Sequence, residues 1–118
     1  MDISKIDEKL DELMKVNGAL AAGLIDWESG MALGTRANGG FNIDLACAGN
    51  AEVIKAKMAT MKSLELNGKI KDILITLTDQ IHIISIVPDQ HELAFYLALD
   101  SSGANLALAR NVVQNVAK

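Results

Sequence analysis

Few residues of this 118-residue chain could carry chemistry: two histidines, one cysteine, and acids at the ends of apolar runs. A nucleophilic pair needs Cys or Ser within reach of a histidine, and a metal centre needs several His, Cys or carboxylate ligands at fixed spacing. The spacing here meets neither requirement. His82 lies in Ile81-His82-Ile83-Ile84, where a period of two places it on one sheet face with Ile84 and Ile86, and His91 falls in a turn before the next apolar run. Cys47, near the start of a long helical pattern, would be a reactive thiolate only if it were exposed in the first turn. With Ala46 and Ala48 beside it and no histidine nearby in sequence, it reads as a packing residue. Asp26, Glu28 and Asp100 fit turns and caps better than a paired acid and base. The glycine segments around Gly23, Gly30 and Gly39-Gly40 lack the Lys-Ser/Thr pair and the glycine order of a phosphate-cradling loop. No catalytic residue, metal site or cofactor is expected, and the chain does not read as an enzyme.

What remains is charge and surface. Eleven Lys and Arg against fifteen Asp and Glu give a net charge of −4, and only 3% of residues are aromatic. Such a chain lacks the phosphate-neutralising surface and the stacking platforms of a nucleic-acid binder. Half of the residues are hydrophobic, so a core of Ala, Ile, Leu, Val and Met is expected and disorder is not. A lone cysteine permits no internal disulfide, the acidic opening is not a secretory signal, and no apolar run nears 18 residues. A single domain over 1–118, cytoplasmic and without direct membrane insertion, is the expectation. Against the overall acidity, Lys55, Lys57, Lys62, Lys69 and Lys71 outnumber Glu52 and Glu65 between positions 50 and 71. That local excess could steer an acidic protein surface or simply solubilise the chain.

The elements that position these residues follow from periodicity. Ile3, Ile6, Leu10 and Leu13 mark an amphipathic helix that Asn17-Gly18 ends. Ala19–Ile25 and about 32–35 read as strands joined by a Glu28-Ser29-Gly30 turn. Asn42 is a candidate N-cap for a helix running to Asn67-Gly68, with Cys47, Ala51, Ile54, Met58 and Met61 tracing one side. Its many small residues would let a second backbone approach closely. Three apolar runs, 71–79, 80–89 and 91–100, form an antiparallel meander, and apolar residues on both faces demand cover on both faces. The last helix, about 103–118, is expected to be capped by Ser101 or Ser102. The order α-β-β-α-β-β-β-α gives an α/β sandwich of three helices and one five-stranded antiparallel sheet.

These elements and several strings resemble the roadblock / dynein light chain family. The strings are the segment 17–33 around the first hairpin, Phe41-Asn42-Ile43-Asp44-Leu45-Ala46, the segment 69–84 across the next hairpin, and 97–110 into the last helix. Among them Asn105-Leu106-Ala107-Leu108-Ala109-Arg110 is the most specific. The resemblance spans about 3–116, and the chain looks like the bare domain. It implies a non-enzymatic protein that forms homodimers or heterodimers, the strand from Asp72 to Leu77 pairing with its copy to extend the sheet while the long helices pack side by side. It further implies scaffold roles in dynein and lysosomal signalling complexes, and in bacterial relatives the regulation of small Ras-like GTPases, including the polarity switch of gliding motility. There the dimer rearranges the GTPase's own active-site elements without donating an arginine finger, so Arg36 and Arg110 are expected in structural roles.

The expected homodimer interface therefore comprises Ala51, Ile54, Met58 and Met61 of the long helix with Asp72, Ile73, Leu74, Ile75, Thr76 and Leu77 of the strand. Ile75→Pro is the natural disruptor on this reading. Lys55, Lys57 and Lys62 are the expected contacts for a small Ras-like GTPase. The competing reading is a small-ligand sensory domain of profilin-like architecture, which would need a cavity with convergent polar groups.

Overall fold

A computed structural model describes residues 1–118. A 3-10 turn, Ile3–Lys5, leads into α1 (Ile6–Met14); then come β1 (Ala19–Asp26), β2 (Met31–Ala37), α2 (Ile43–Ser63), β3 (Asp72–Thr76), β4 (Gln80–Ile86), β5 (Leu93–Asp100) and α3 (Leu106–Val116). The strands form one five-stranded antiparallel sheet, as expected, and their order is β2-β1-β5-β4-β3.

Both sheet faces are covered, and two cores result. On one face α1 and α3 bury Leu10, Leu13, Ala109 and Val113 against Leu24, Ile83, Phe95, Leu97 and Leu99. On the other, α2 buries Cys47, Ala51 and Ile54 against Ala21, Ile25, Ile84 and Tyr96. Close approach of the layers requires small strand residues. A Cβ on Gly23 would lie 2.9 Å from Cys47 Sγ, and one on Gly34 would lie 3.0 Å from Ile6 and Leu10 side-chain carbons.

Local chemistry fixes the helix ends. Asn42 Oδ1 accepts from the Leu45 amide at 3.1 Å, the expected cap of α2. The cap of α3 is Asn105, whose Oδ1 accepts from the Leu108 amide at 3.0 Å, and not Ser101 or Ser102. Ser102 is already taken, its amide and hydroxyl both donating to Asp100 Oδ1. At the other end of α2 the Leu66 and Glu65 amides donate to Met61 and Lys62 carbonyls, the double closure of a Schellman turn. Glu65 stands at its left-handed position with φ of 57°.

A candidate interaction surface along strand β3 and helix α2

Strand β3 is an edge of the sheet and its outer side is unpaired. Its phase is set by two bonds, Ile86 N–H to Lys71 C=O and Leu77 N–H to Gln80 C=O. Since hydrogen-bonded and non-bonded pairs alternate in an antiparallel ladder, Lys71, Ile73, Ile75 and Leu77 face β4 with their backbone. Asp72, Leu74 and Thr76 therefore present their amides and carbonyls to the open edge. The strand closes one residue before the expected end, with Leu77 in the turn and 44% exposed. This phase also corrects the choice of Ile75→Pro, which would break the strand's own ladder to β4 and unfold the hairpin before it tested the edge.

Side chains place β3 between two environments. Ile73 and Ile75 lie half-buried on the α2 face, whereas Leu74, on the other face, is 39% exposed. Asp72 is clamped to α3. Arg110 Nε and Nη2 donate to its two carboxylate oxygens at 2.6 and 3.2 Å, and Gln114 Nε2 adds a third bond at 3.1 Å.

Helix α2 lies chiefly over β1 and β2, so its flank toward β3 is not packed down. A groove of about 560 Å³ runs there, lined by Val53, Ala56, Lys57, Thr60, Ile70, Asp72 and Ile73. Two expected contacts are thereby corrected: Ala51 and Ile54 have no accessible surface in the single chain and belong to its own core, where a partner cannot reach them. Met58 and Met61 continue the same inward stripe but stay half-exposed. The outward stripe is Gly49, Val53, Ala56, Thr60 and Leu64, a second series at spacings of three and four that the larger inward residues mask in the sequence.

The three lysines do not form one cluster. Lys57 lines the groove, while Lys55 and Lys62 share the opposite flank, about 200° around the helix from Lys57 for Lys55. Lys55 also makes an exposed ion pair with Glu52 at 3.4 Å.

The remaining chemistry-bearing residues take structural roles. Burial pushes the Cys47 thiol up to about 11, with Asp44 adding to the shift, and the residue is packed in the core at 1% exposure. Burial likewise pushes Tyr96 up to about 12 and lowers His82, whose ring meets Tyr96 edge-on at 5.5 Å. The Tyr96 hydroxyl is buried without a hydrogen-bond partner, and the Asn50 side chain moderates the rise. Asp26 and Asp100 accept backbone amides two residues on, as turn formers do. Arg36 is held by Asp11 and Asp7 of α1 at 2.9 and 3.1 Å, and Arg110 by Asp72, so both arginines are structural, as expected. Hydrogen bonds to these carboxylates raise both guanidinium groups above their ordinary value.

Neither a sequence-family profile nor a curated protein matches the chain. Solved structures do. MglB of Myxococcus xanthus superposes with a TM-score of 0.83 at 15% identity, over 98% of this chain and 84% of that one. A Roadblock/LC7 domain from Streptomyces avermitilis gives 0.81 at 12% identity, over 95% and 91%. The fold is of the roadblock type. A gliding protein, MglB of Thermus thermophilus, gives 0.74 at 19% identity, over 98% and 90%. In this roadblock-type chain the open β3 edge and the uncovered α2 flank lie side by side. No helix is long and apolar enough to cross a membrane.

Proposed function

We propose that this protein is a homodimeric, non-enzymatic cytoplasmic scaffold or regulator that binds a small Ras-like GTPase. The observation that carries the reading is the conjunction just described: an open strand edge beside an uncovered small-residue helix flank, on a roadblock-type fold whose structural neighbours include MglB proteins. Both surfaces are satisfied at once if β3 pairs with its copy and the α2 flanks meet across the seam. An apolar edge left open would otherwise template aggregation. The seam then comprises Asp72, Ile73, Leu74, Ile75 and Thr76, with Leu77 beside them, joined by Val53, Ala56 and Thr60 of α2 and the rims of Met58 and Met61. Lys57 falls at this seam. Lys55 and Lys62 stay outside it and supply the electrostatic first contact with the GTPase.

Calorimetry with cognate Ras-like GTPases loaded with GDP or a GTP analogue tests the reading. Binding that differs between the two forms supports a regulator. Reversing Lys55 and Lys62 to Glu should slow association and reduce its salt dependence while leaving the protein's own oligomeric state intact. No binding to any cognate GTPase would overturn the GTPase assignment.

A further inference from the structure

Next to the start of β3, where the residues before the strand pass the end of α3, lies a second cavity of about 450 Å³. Lys69, Lys71 and Lys118 line it together with His91 and no acidic side chain does, the terminal carboxylate of Lys118 offsetting that residue's own ammonium. In a chain of net charge −4 this is a local reversal of sign. None of the three lysines makes an ion pair, although six other pairs are formed in the chain. The nearest carboxylate along the strand, Asp72, is neutralised by the two-point contact with Arg110. The carbonyl end of α3 borders the cavity and opposes an anion, but Lys9 Nζ donates to the Val116 carbonyl at 2.6 Å and offsets it.

Polar and apolar groups converge on this charge. Ser85 is the one polar side chain in the row Ile81, Ile83, Ser85, Val87 that β4 and the residue after it turn toward α3; it is 3% exposed and lines the cavity. Gln114 spends its amide hydrogen on Asp72 and leaves its carbonyl free. Ile70, Pro88 and Ala117 supply apolar lining, while Ile86, next to Ser85 on the strand, turns its side chain to the α2 face. The volume exceeds what a bare inorganic anion would fill and suits a small organic ligand.

We infer that this cavity binds a phosphate monoester with a compact apolar body, its phosphate held by Lys69 and Lys71 with the Ser85 hydroxyl as a further donor. Lysine binds a phosphate as a flexible point charge, and two of them match a dianion. The site adjoins the proposed dimer seam: Ile70 lines both this cavity and the α2 groove, and Gln114 bonds Asp72 of the seam strand.

Phenyl phosphate is the probe, compared with inorganic phosphate and with phenol at fixed ionic strength by calorimetry and thermal shift. Saturable binding is expected for phenyl phosphate, weaker binding for phosphate, and none for phenol. Lys69→Gln and Lys71→Gln, both at exposed positions, should each weaken phenyl phosphate about tenfold, the effect of losing one charge-assisted contact. Lys57→Gln, in the other groove, should change nothing. No saturable response above matched chloride, equal binding by the lysine variants, or capture of an acidic peptide in place of phenyl phosphate would overturn the inference. The oligomeric state and GTPase binding, measured on the same samples, report separately on the proposed function.

Discussion

Arg110 of α3 holds Asp72, the first residue of the edge strand, through two guanidinium contacts at 2.6 and 3.2 Å. The carboxylate is only 8% exposed and the contact spans 38 positions of sequence, so it ties the open edge to the terminal helix. Removing it should loosen β3 without dismantling either core. In Arg110→Ala, backbone amides of β3 should exchange with solvent faster while those of β5 are unchanged. Unaltered exchange at Ile73 and Ile75, whose amides bond to β4, would show that the pair does not restrain the edge.

The contact between α2 and β1 depends on Gly23. A methyl group there meets Cys47 Sγ at 2.9 Å, so Gly23→Ala should destabilise the fold by about 1–3 kcal/mol through overpacking. Cys47→Ala removes the obstructing sulfur. In that background the glycine substitution should cost less, with a coupling of about 0.5–3 kcal/mol in a double-mutant cycle by urea unfolding. Additive effects would place the strain elsewhere.

At the end of α2, Glu65 adopts φ of 57°, a conformation suited to glycine. Glu65→Gly should stabilise the protein by about 0.5–1 kcal/mol, the relief of left-handed strain less the added freedom of the unfolded chain. Guanidinium unfolding with an unchanged slope is the check.

Alkaline pH should unfold the protein through its inner core. Cys47 is pushed from 9.0 to about 11 and Tyr96 from 10.0 to about 12, both by burial. Each group thus ionises more readily in the unfolded chain. Their contribution is intact below pH 9 and is lost progressively as the pH rises toward 11 and 12. Cys47→Ala should flatten the first part of that decline; an unchanged pH profile would contradict the assigned cause.

Local signals in the sequence carried far. Asn42 as a cap, the two hairpins and the two-sided apolar strands were legible because each depends on residues a few positions apart; α2 ends earlier than expected, at Ser63, where Glu65 takes the left-handed turn before Asn67-Gly68 is reached. The cap at Asn105 was obscured by Ser101 and Ser102, which compete for the same reading until the Asp100 turn is seen to occupy Ser102. Helix α2 carries two stripes at helical spacing, and hydrophobicity alone points to Ala51 and Ile54, which face the chain's own sheet. The outward series through Val53, Ala56 and Thr60 is smaller and weaker. Lys55 and Lys57 look like neighbours in sequence but lie on opposite flanks. The Asp72–Arg110 clamp and the basic cavity join segments that no local pattern relates.

The central claim is that β3 pairs with its own copy, and Leu74 gives the most direct test. Its amide faces the open edge, so Leu74→Pro removes a donor needed across the seam while sparing the ladder to β4. Light scattering coupled to size exclusion should give the unmodified protein a mass near twice 12.6 kDa, and Leu74→Pro, folded by circular dichroism, a mass near 12.6 kDa. A mass of 12.6 kDa for the unmodified protein at every accessible concentration, or a folded Leu74→Pro that remains fully dimeric, would contradict the account.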